Sequence, residues 1–224
     1  MIDFDYEVVY KNVKHVTVKV KPTLQVQVVA PWQTSHEYIE SLVKKRREWI
    51  QQHLTNFKNS QTPPRTYCSG EDFIYLGKRY RLKVLPAEQN YAVLKNGILY
   101  LHCQQIDNHA LKAQIIDDFY RAKAEHYFPK VIQQYRHLYQ DSVTFKIKKM
   151  TTRWGSCHPQ KRHISLNQAL IQYPRRAIEY VVLHEIAHLT YPNHGLGFQN
   201  YMATYMPDWR KVKYKLDFVG PVGR

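Results

Sequence analysis

The chain has 224 residues, enough for one large domain or two small ones, and its 44% hydrophobic and 23% charged residues exclude wholesale disorder. Its formal net charge of +15 gives a positive field suited to nucleotides, nucleic acid or acidic protein, without selecting among them. The acidic opening Met1-Ile2-Asp3-Phe4-Asp5-Tyr6 lacks the basic start and apolar run of an export signal. Apolar runs such as 26–30 fall far short of the roughly 20 residues of a membrane helix. Cys68, Cys103 and Cys157 are odd in number and form no C-x-x-C pair, which argues against a disulfide framework and a cysteine zinc site. A soluble, cytoplasmic protein with reduced thiols and no membrane partner is therefore expected.

From Phe4 to Ala30, Val and Tyr recur with period two (Val16, Val18, Val20; Leu24, Val26, Val28), which predicts a small antiparallel sheet joined at Lys11-Asn12 and Lys21-Pro22-Thr23. Pro31-Trp32-Gln33 ends it. Thr34 or Ser35 then caps one helix with Tyr38, Ile39, Leu42, Trp49, Ile50 and Leu54 at helical spacing. That helix carries Lys44-Lys45-Arg46-Arg47, which reads most simply as a solvated face and alternatively as a phosphate contact. A loop at 59–65 leads to strands at 73–76, 80–85, 91–94 and 98–102, with hairpin turns at Gly77-Lys78 and Asn96-Gly97. Asp107-Asn108 then opens a helical pattern from His109 to about Tyr139, which Pro129 should kink or split. This change of character predicts a β-rich N-terminal domain with one helix over 1–106 and a second domain over 107–224, an α+β protein. Beyond the long helix, 143–148 alternates as a strand. Ile164 and Leu166 suit its hairpin partner across a turn containing Gly155 and Pro159.

Pro174 suits the first turn of a helix whose apolar face is Ile178, Val181, Val182, Ile186 and Leu189. His184-Glu185-Ile186-Ala187-His188 lies on it, so both imidazoles share a face and can reach one metal ion while Glu185 projects toward bound water. Zinc in a hydrolase takes three protein ligands and leaves a fourth position for water. After His188 there is no Glu, and the only His is His194. Pro192 should stop the helix, and Gly195 and Gly197 permit a close approach, so His194 is the economical third ligand. A purely structural zinc would use four ligands, usually Cys-rich, and would have no use for Glu185.

Thr152-Arg153-Trp154-Gly155-Ser156-Cys157 is a polar, aromatic turn that reads either as a packed hairpin corner or as a wall of the cleft. In the second reading Arg153 or Ser156 binds a substrate carbonyl, carboxylate or phosphate. Nothing near Cys157 in sequence lowers its pKa, so a buried thiol is expected there.

Three segments resemble the YgjP-like metallopeptidase family, within the wider zincins that include SprT-like and WLM proteases: Arg153 to Cys157; Ile164-Ser165-Leu166-Asn167 with Leu170 and Pro174; and His184-Glu185-x-x-His188 through Asn193-His194 to Phe198. The likeness covers roughly 146–209, with Arg46-Arg47-x-Trp49-Ile50 as a weaker echo upstream. It implies a compact zincin-like catalytic domain of helices plus a small sheet, one zinc ion per chain on His184, His188 and His194, and Glu185 as catalytic base. Metzincin membership is rejected, because Tyr191 stands where a Gly belongs and Met202 and Met206 lie in an apparent helix.

Arg153, Trp154, Ser156 and Asn167 are candidate substrate-binding residues, and Arg153, His163, Asn167, Tyr191 and Tyr205 candidate transition-state stabilisers. The expected function is zinc-dependent hydrolysis of peptide bonds in a peptide or protein, laid as an extra strand along 146–152. The alternatives are a metal-dependent nucleotide (UTP) pyrophosphatase and a nucleic-acid-associated protease acting through the basic surface.

Overall fold

A computed structural model describes residues 4–21, 23–60, 65–140 and 142–219. Among these, six α-helices and three small sheets make an α+β protein whose contacts divide into two compact units, 1–64 and 65–224.

In the first unit, strands β1 (Tyr6–Tyr10), β2 (Thr17–Val20) and β3 (Val26–Ala30) lie in the order β1-β3-β2. The antiparallel sheet expected here is in fact mixed, because β1 pairs with β3 in parallel and only β2 and β3 form a hairpin. The reason lies in β3: Val26, Val28, Val29 and Ala30 are all buried, which suits a central strand with both faces covered. Lys11-Asn12 therefore begins a crossing, while the other expected turn holds through the Leu24 N–H donating to the Lys21 carbonyl at 2.9 Å. Pro22 lies outside the described residues. The single helix expected is two, α1 (His36–Lys45) and α2 (Arg47–Ser60), which absorbs the start of the expected loop. Arg46, at φ −100° and ψ 9°, breaks them apart. Ser35 caps α1 by accepting from the Tyr38 N–H, and Ile39, Val43 and Ile50 bury against the sheet.

In the second unit, β4 (Asp72–Tyr75), β5 (Lys78–Pro86), β6 (Tyr91–Lys95) and β7 (Ile98–Cys103) form a sheet in the order β4-β5-β7-β6. Leu76-Gly77 and Asn96-Gly97 both have two successive positive φ angles, the geometry of the tight turns that join twisted strands. Helix α3 (His109–Gln134) is capped by Asn108, which accepts from the Leu111 N–H at 3.0 Å. It continues past Pro129 without the split that the proline allows, because Phe128 and Val131 are buried on either side and their packing outweighs one lost backbone bond.

The third sheet holds β8 (Thr144–Lys148), β9 (Gly155–His158) and β10 (His163–Asn167) in the order β8-β10-β9. The expected β8–β10 hairpin is instead a parallel pair, and β9 is the antiparallel partner of β10. Gly155 thus sits in a strand. Strand β10 takes the middle because Ile164 to Asn167 are all buried. Helices α4 (Arg175–Ala187), α5 (Leu196–Tyr205) and α6 (Trp209–Val219) complete the unit.

One core joins Phe73, Leu82, Leu99 and Leu101 of the four-stranded sheet to Ile115 and Phe128 of α3 and to Ile178 and Val182 of α4. The Leu76 and Gly77 N–H groups also donate to Ile171 and Gln172 carbonyls at 2.9 and 3.0 Å. For this reason the contacts divide at 64/65 and not at the expected 106/107. No described helix is long and apolar enough to cross a membrane.

A fragment of residues 65–224 should unfold cooperatively by circular dichroism, whereas residues 107–224, stripped of the sheet that covers α3, should give no cooperative transition. Arg176, in the first turn of α4, donates to both carboxylate oxygens of Asp208 and holds that carboxyl below the usual range. A lowered native pKa stabilises the fold above the ordinary aspartate value of about 4 and stops doing so as pH falls through the native value. The melting temperature of Asp208→Asn should therefore lie below that of wild type at neutral pH and converge on it in strong acid.

Candidate metal centre

Helix α4 is buried along almost its whole length, with Ile178, Val182 and Leu183 fully covered. His184 and His188 lie one turn apart near its end. The helix stops as anticipated from Pro192, with the Tyr191 N–H closing onto the Ala187 carbonyl at 2.8 Å. The following turn returns His194 to the same place. Nε2 of His188 and Nε2 of His194 each lie 3.2 Å from Nε2 of His184, and the three donor atoms fall within 4.8 Å of one another.

These distances test whether a metal fits. Tetrahedral zinc–nitrogen bonds of about 2.0–2.1 Å put neighbouring ligand nitrogens about 3.3–3.4 Å apart. The His184–His188 and His184–His194 pairs match that spacing, and the third pair lies within 4.8 Å. Burial pushes His184 down to about 3, helped by the neighbouring imidazoles and Lys213, and burial also lowers His194, so both are neutral at pH 7 with a lone pair to offer. His188 donates from Nδ1 to the Tyr191 carbonyl at 2.9 Å, which leaves Nε2 as its lone-pair atom. The Tyr180 hydroxyl meets Nδ1 of His184 at 3.2 Å, and Phe198 packs against all three imidazole rings at centroid distances of 4.7–5.0 Å.

Glu185 is 6% exposed and faces strand β9. A Cβ placed on Gly155 would stand 2.6 Å from its Oε1 and 2.7 Å from its Cγ, so only glycine leaves this carboxyl its position. Burial raises the carboxyl to about 8, while the positive charge of Arg153 pulls it back down. Arg153 is thereby the one candidate substrate-binding residue whose charge is felt at Glu185.

The others divide. Trp154 packs edge-on against Tyr173 at 4.7 Å, and Ser156 is half-buried on β9 opposite Ser165. Asn167 is 1% exposed, and its amide donates to the Met150 and Arg153 carbonyls at 2.7 and 2.8 Å while its oxygen accepts from the Ala169 N–H. That side chain is committed to clasping the loop before β9, which makes it a positioning residue. His163 bonds within the sheet to Thr144 and Ser165, and Tyr191 packs against Gly197 and Tyr201. Tyr205 packs at a tilt against Tyr201 and edge-on against His137. The Cys157 thiol is pushed up to about 11, by burial first and by Glu185 second, which suits an inert thiol. Two site residues escaped the sequence reading: Tyr180, whose i, i+4 spacing to His184 was the available signal, and Gly155, which was read as a turn residue.

The model of the YgjP-like metallopeptidase domain family matches residues 14–218. The chain belongs to this family. It is accordingly a hydrolase of the metallopeptidase class, for which a metal and a peptide or protein substrate are implied. Among solved structures it is similar to the metallopeptidase zymogen jannalysin of Methanocaldococcus jannaschii, at 21% identity and a TM-score of 0.36 over 39% of this chain and 91% of that one. The zymogen abylysin of Pyrococcus abyssi matches at 17% identity and a TM-score of 0.37, over 39% of this chain and 90% of that one. No curated protein matches.

In this metallopeptidase, Gly155→Ala should displace the Glu185 side chain and leave the strand in place, since the three nearest atoms a Cβ would meet belong to that flexible side chain. A displacement near 1 Å should lower kcat about 100-fold with metal content and circular dichroism unchanged.

Proposed function

We propose that the chain is a zinc-dependent peptidase in which His184, His188 and His194 hold one zinc ion and Glu185 serves as general base. The observation that carries this reading is the approach of His188 and His194 Nε2 to 3.2 Å from His184 Nε2, on a helix whose next residue, Glu185, is a buried carboxyl. Zinc bound there would polarise the scissile carbonyl and acidify a water in its open fourth position. Glu185 takes the proton of the attacking water and delivers it to the leaving amine. The positive charge of Arg153 is felt at Glu185, and its guanidinium can meet a substrate carbonyl. Tyr180 and the Tyr191 carbonyl fix the orientation of two imidazoles.

An extended peptide would lie along the free edge of β9, because Gly155 touches Glu185. This reading puts the docking edge at 155–158, while β8, which holds the start of the 146–152 stretch expected from sequence, is the other edge of the same sheet. The free thiols Cys68, Cys103 and Cys157 suit a reducing cytoplasm. The net charge of +15 favours the UTP pyrophosphatase and nucleic-acid readings without selecting between them.

Metal analysis with a panel of unfolded proteins and UTP, run on wild type and Glu185→Gln, tests the proposal. Both should retain about one zinc per chain, and the variant should lose roughly 100-fold or more of peptide cleavage. Equal peptide cleavage by the two proteins would refute the role of Glu185. Phosphate release from UTP by wild type alone would transfer the site to the nucleotide reading.

A further inference from the structure

A cavity of about 630 Å³ opens beside the three histidines, with His184 and His194 in its wall, and the chemistry above makes no use of it. Its volume falls in the range of about 300–1,000 Å³ typical of ligand pockets. Tyr180, Phe198, Trp209 and Tyr214 give it aromatic walls, and helix α6 brings Arg210, Lys213 and Asp217 to the same space.

The charges there are unequal. Lys213 is ion-paired with Asp217, so those two cancel. Arg210 has no carboxylate partner among the described residues; it donates to Oε1 of Gln199 at 2.8 Å and stacks over the Trp209 ring at 4.6 Å. These contacts hold its planar fork at the wall and leave further N–H groups to offer. The cavity therefore combines an apolar interior with one uncompensated, pre-oriented guanidinium beside the metal-ligating histidines.

We propose that this cavity selects the substrate, with Arg210 receiving a carboxylate: an acidic side chain of the peptide or its C-terminal carboxylate. An arginine fork matches a carboxylate with two parallel hydrogen bonds. With Asp217 matched by Lys213, a single net positive charge suits a monoanion and would leave most of the charge of a polyphosphate unpaired. This proposal rests on the peptidase reading, and Arg210 itself lies outside the reacting groups, so it acts as a specificity determinant.

The test digests a proteome-derived peptide library with the full zinc-loaded chain and maps the cuts by mass spectrometry. Cuts should be enriched about tenfold for Asp or Glu at one fixed position from the scissile bond, or at one fixed distance from a free C-terminus. Matched synthetic peptides separate the two sources: Glu against Gln within the chain, and C-terminal acid against amide. Arg210→Gln should abolish the preference by raising KM for the acidic member of a pair about tenfold with kcat unchanged, and Arg210→Lys should retain part of it. Zinc content and the rate on the neutral member should match wild type in both variants, which reports intact folding. Cuts without acidic preference, or a preference that survives Arg210→Gln, would overturn the pocket assignment and leave the peptidase intact. Absence of any cut by wild type would instead remove the peptidase reading, and the pocket assignment with it.

Discussion

Helix α4 has to be buried on nearly every side and still present two imidazoles to one point and hold the Glu185 carboxyl against β9. Nearly all of its residues from Ala177 to Ala187 are buried, and the core around it draws on the four-stranded sheet, α3 and β10. Burial of its large aliphatic side chains, each worth about 1.5–3 kcal/mol, offsets the cost of taking His184 and Glu185 out of water. The same burial sets their chemistry. It keeps His184 neutral and therefore able to bind metal, and it makes Glu185 hold its proton more firmly than an exposed carboxyl.

A buried helix end needs partners, and each partner here also orients the site. The Ala187 carbonyl accepts from the Tyr191 N–H, and the Tyr191 carbonyl in turn accepts from His188. One short turn thus terminates the helix, fixes the His188 ring and returns the chain so that His194 can join. On the other side the Asn167 amide ties down the loop that carries Arg153, and Gly155 lets β9 approach Glu185. The fold around the site is a set of such double uses.

The residues that come together at the histidine cluster are legible in the sequence because their signals are local. The i, i+4 histidines, the Pro192 stop, the Asn108 and Ser35 caps and the Asn96-Gly97 turn each depend on neighbours within a few positions. Strand order was not readable, since period-two alternation tells which face is buried but not which strand lies alongside. All three sheets contain a parallel pair that joins strands not adjacent in sequence. The boundary was misplaced for the same reason: the change from strands to helices at Asp107 is a change of element, while the core runs through it. Gly155 looked like a turn because its need for a missing Cβ arises 30 positions away, at Glu185.

X-ray absorption spectroscopy at the zinc edge, on the full chain loaded with one equivalent of zinc, tests the arrangement of the three histidines most directly. The account predicts three nitrogen scatterers with imidazole outer shells at about 2.0–2.1 Å, one light fourth ligand and no sulfur, with one imidazole lost in His194→Ala. A sulfur shell near 2.3 Å, or a spectrum that His194→Ala leaves unchanged, would contradict it.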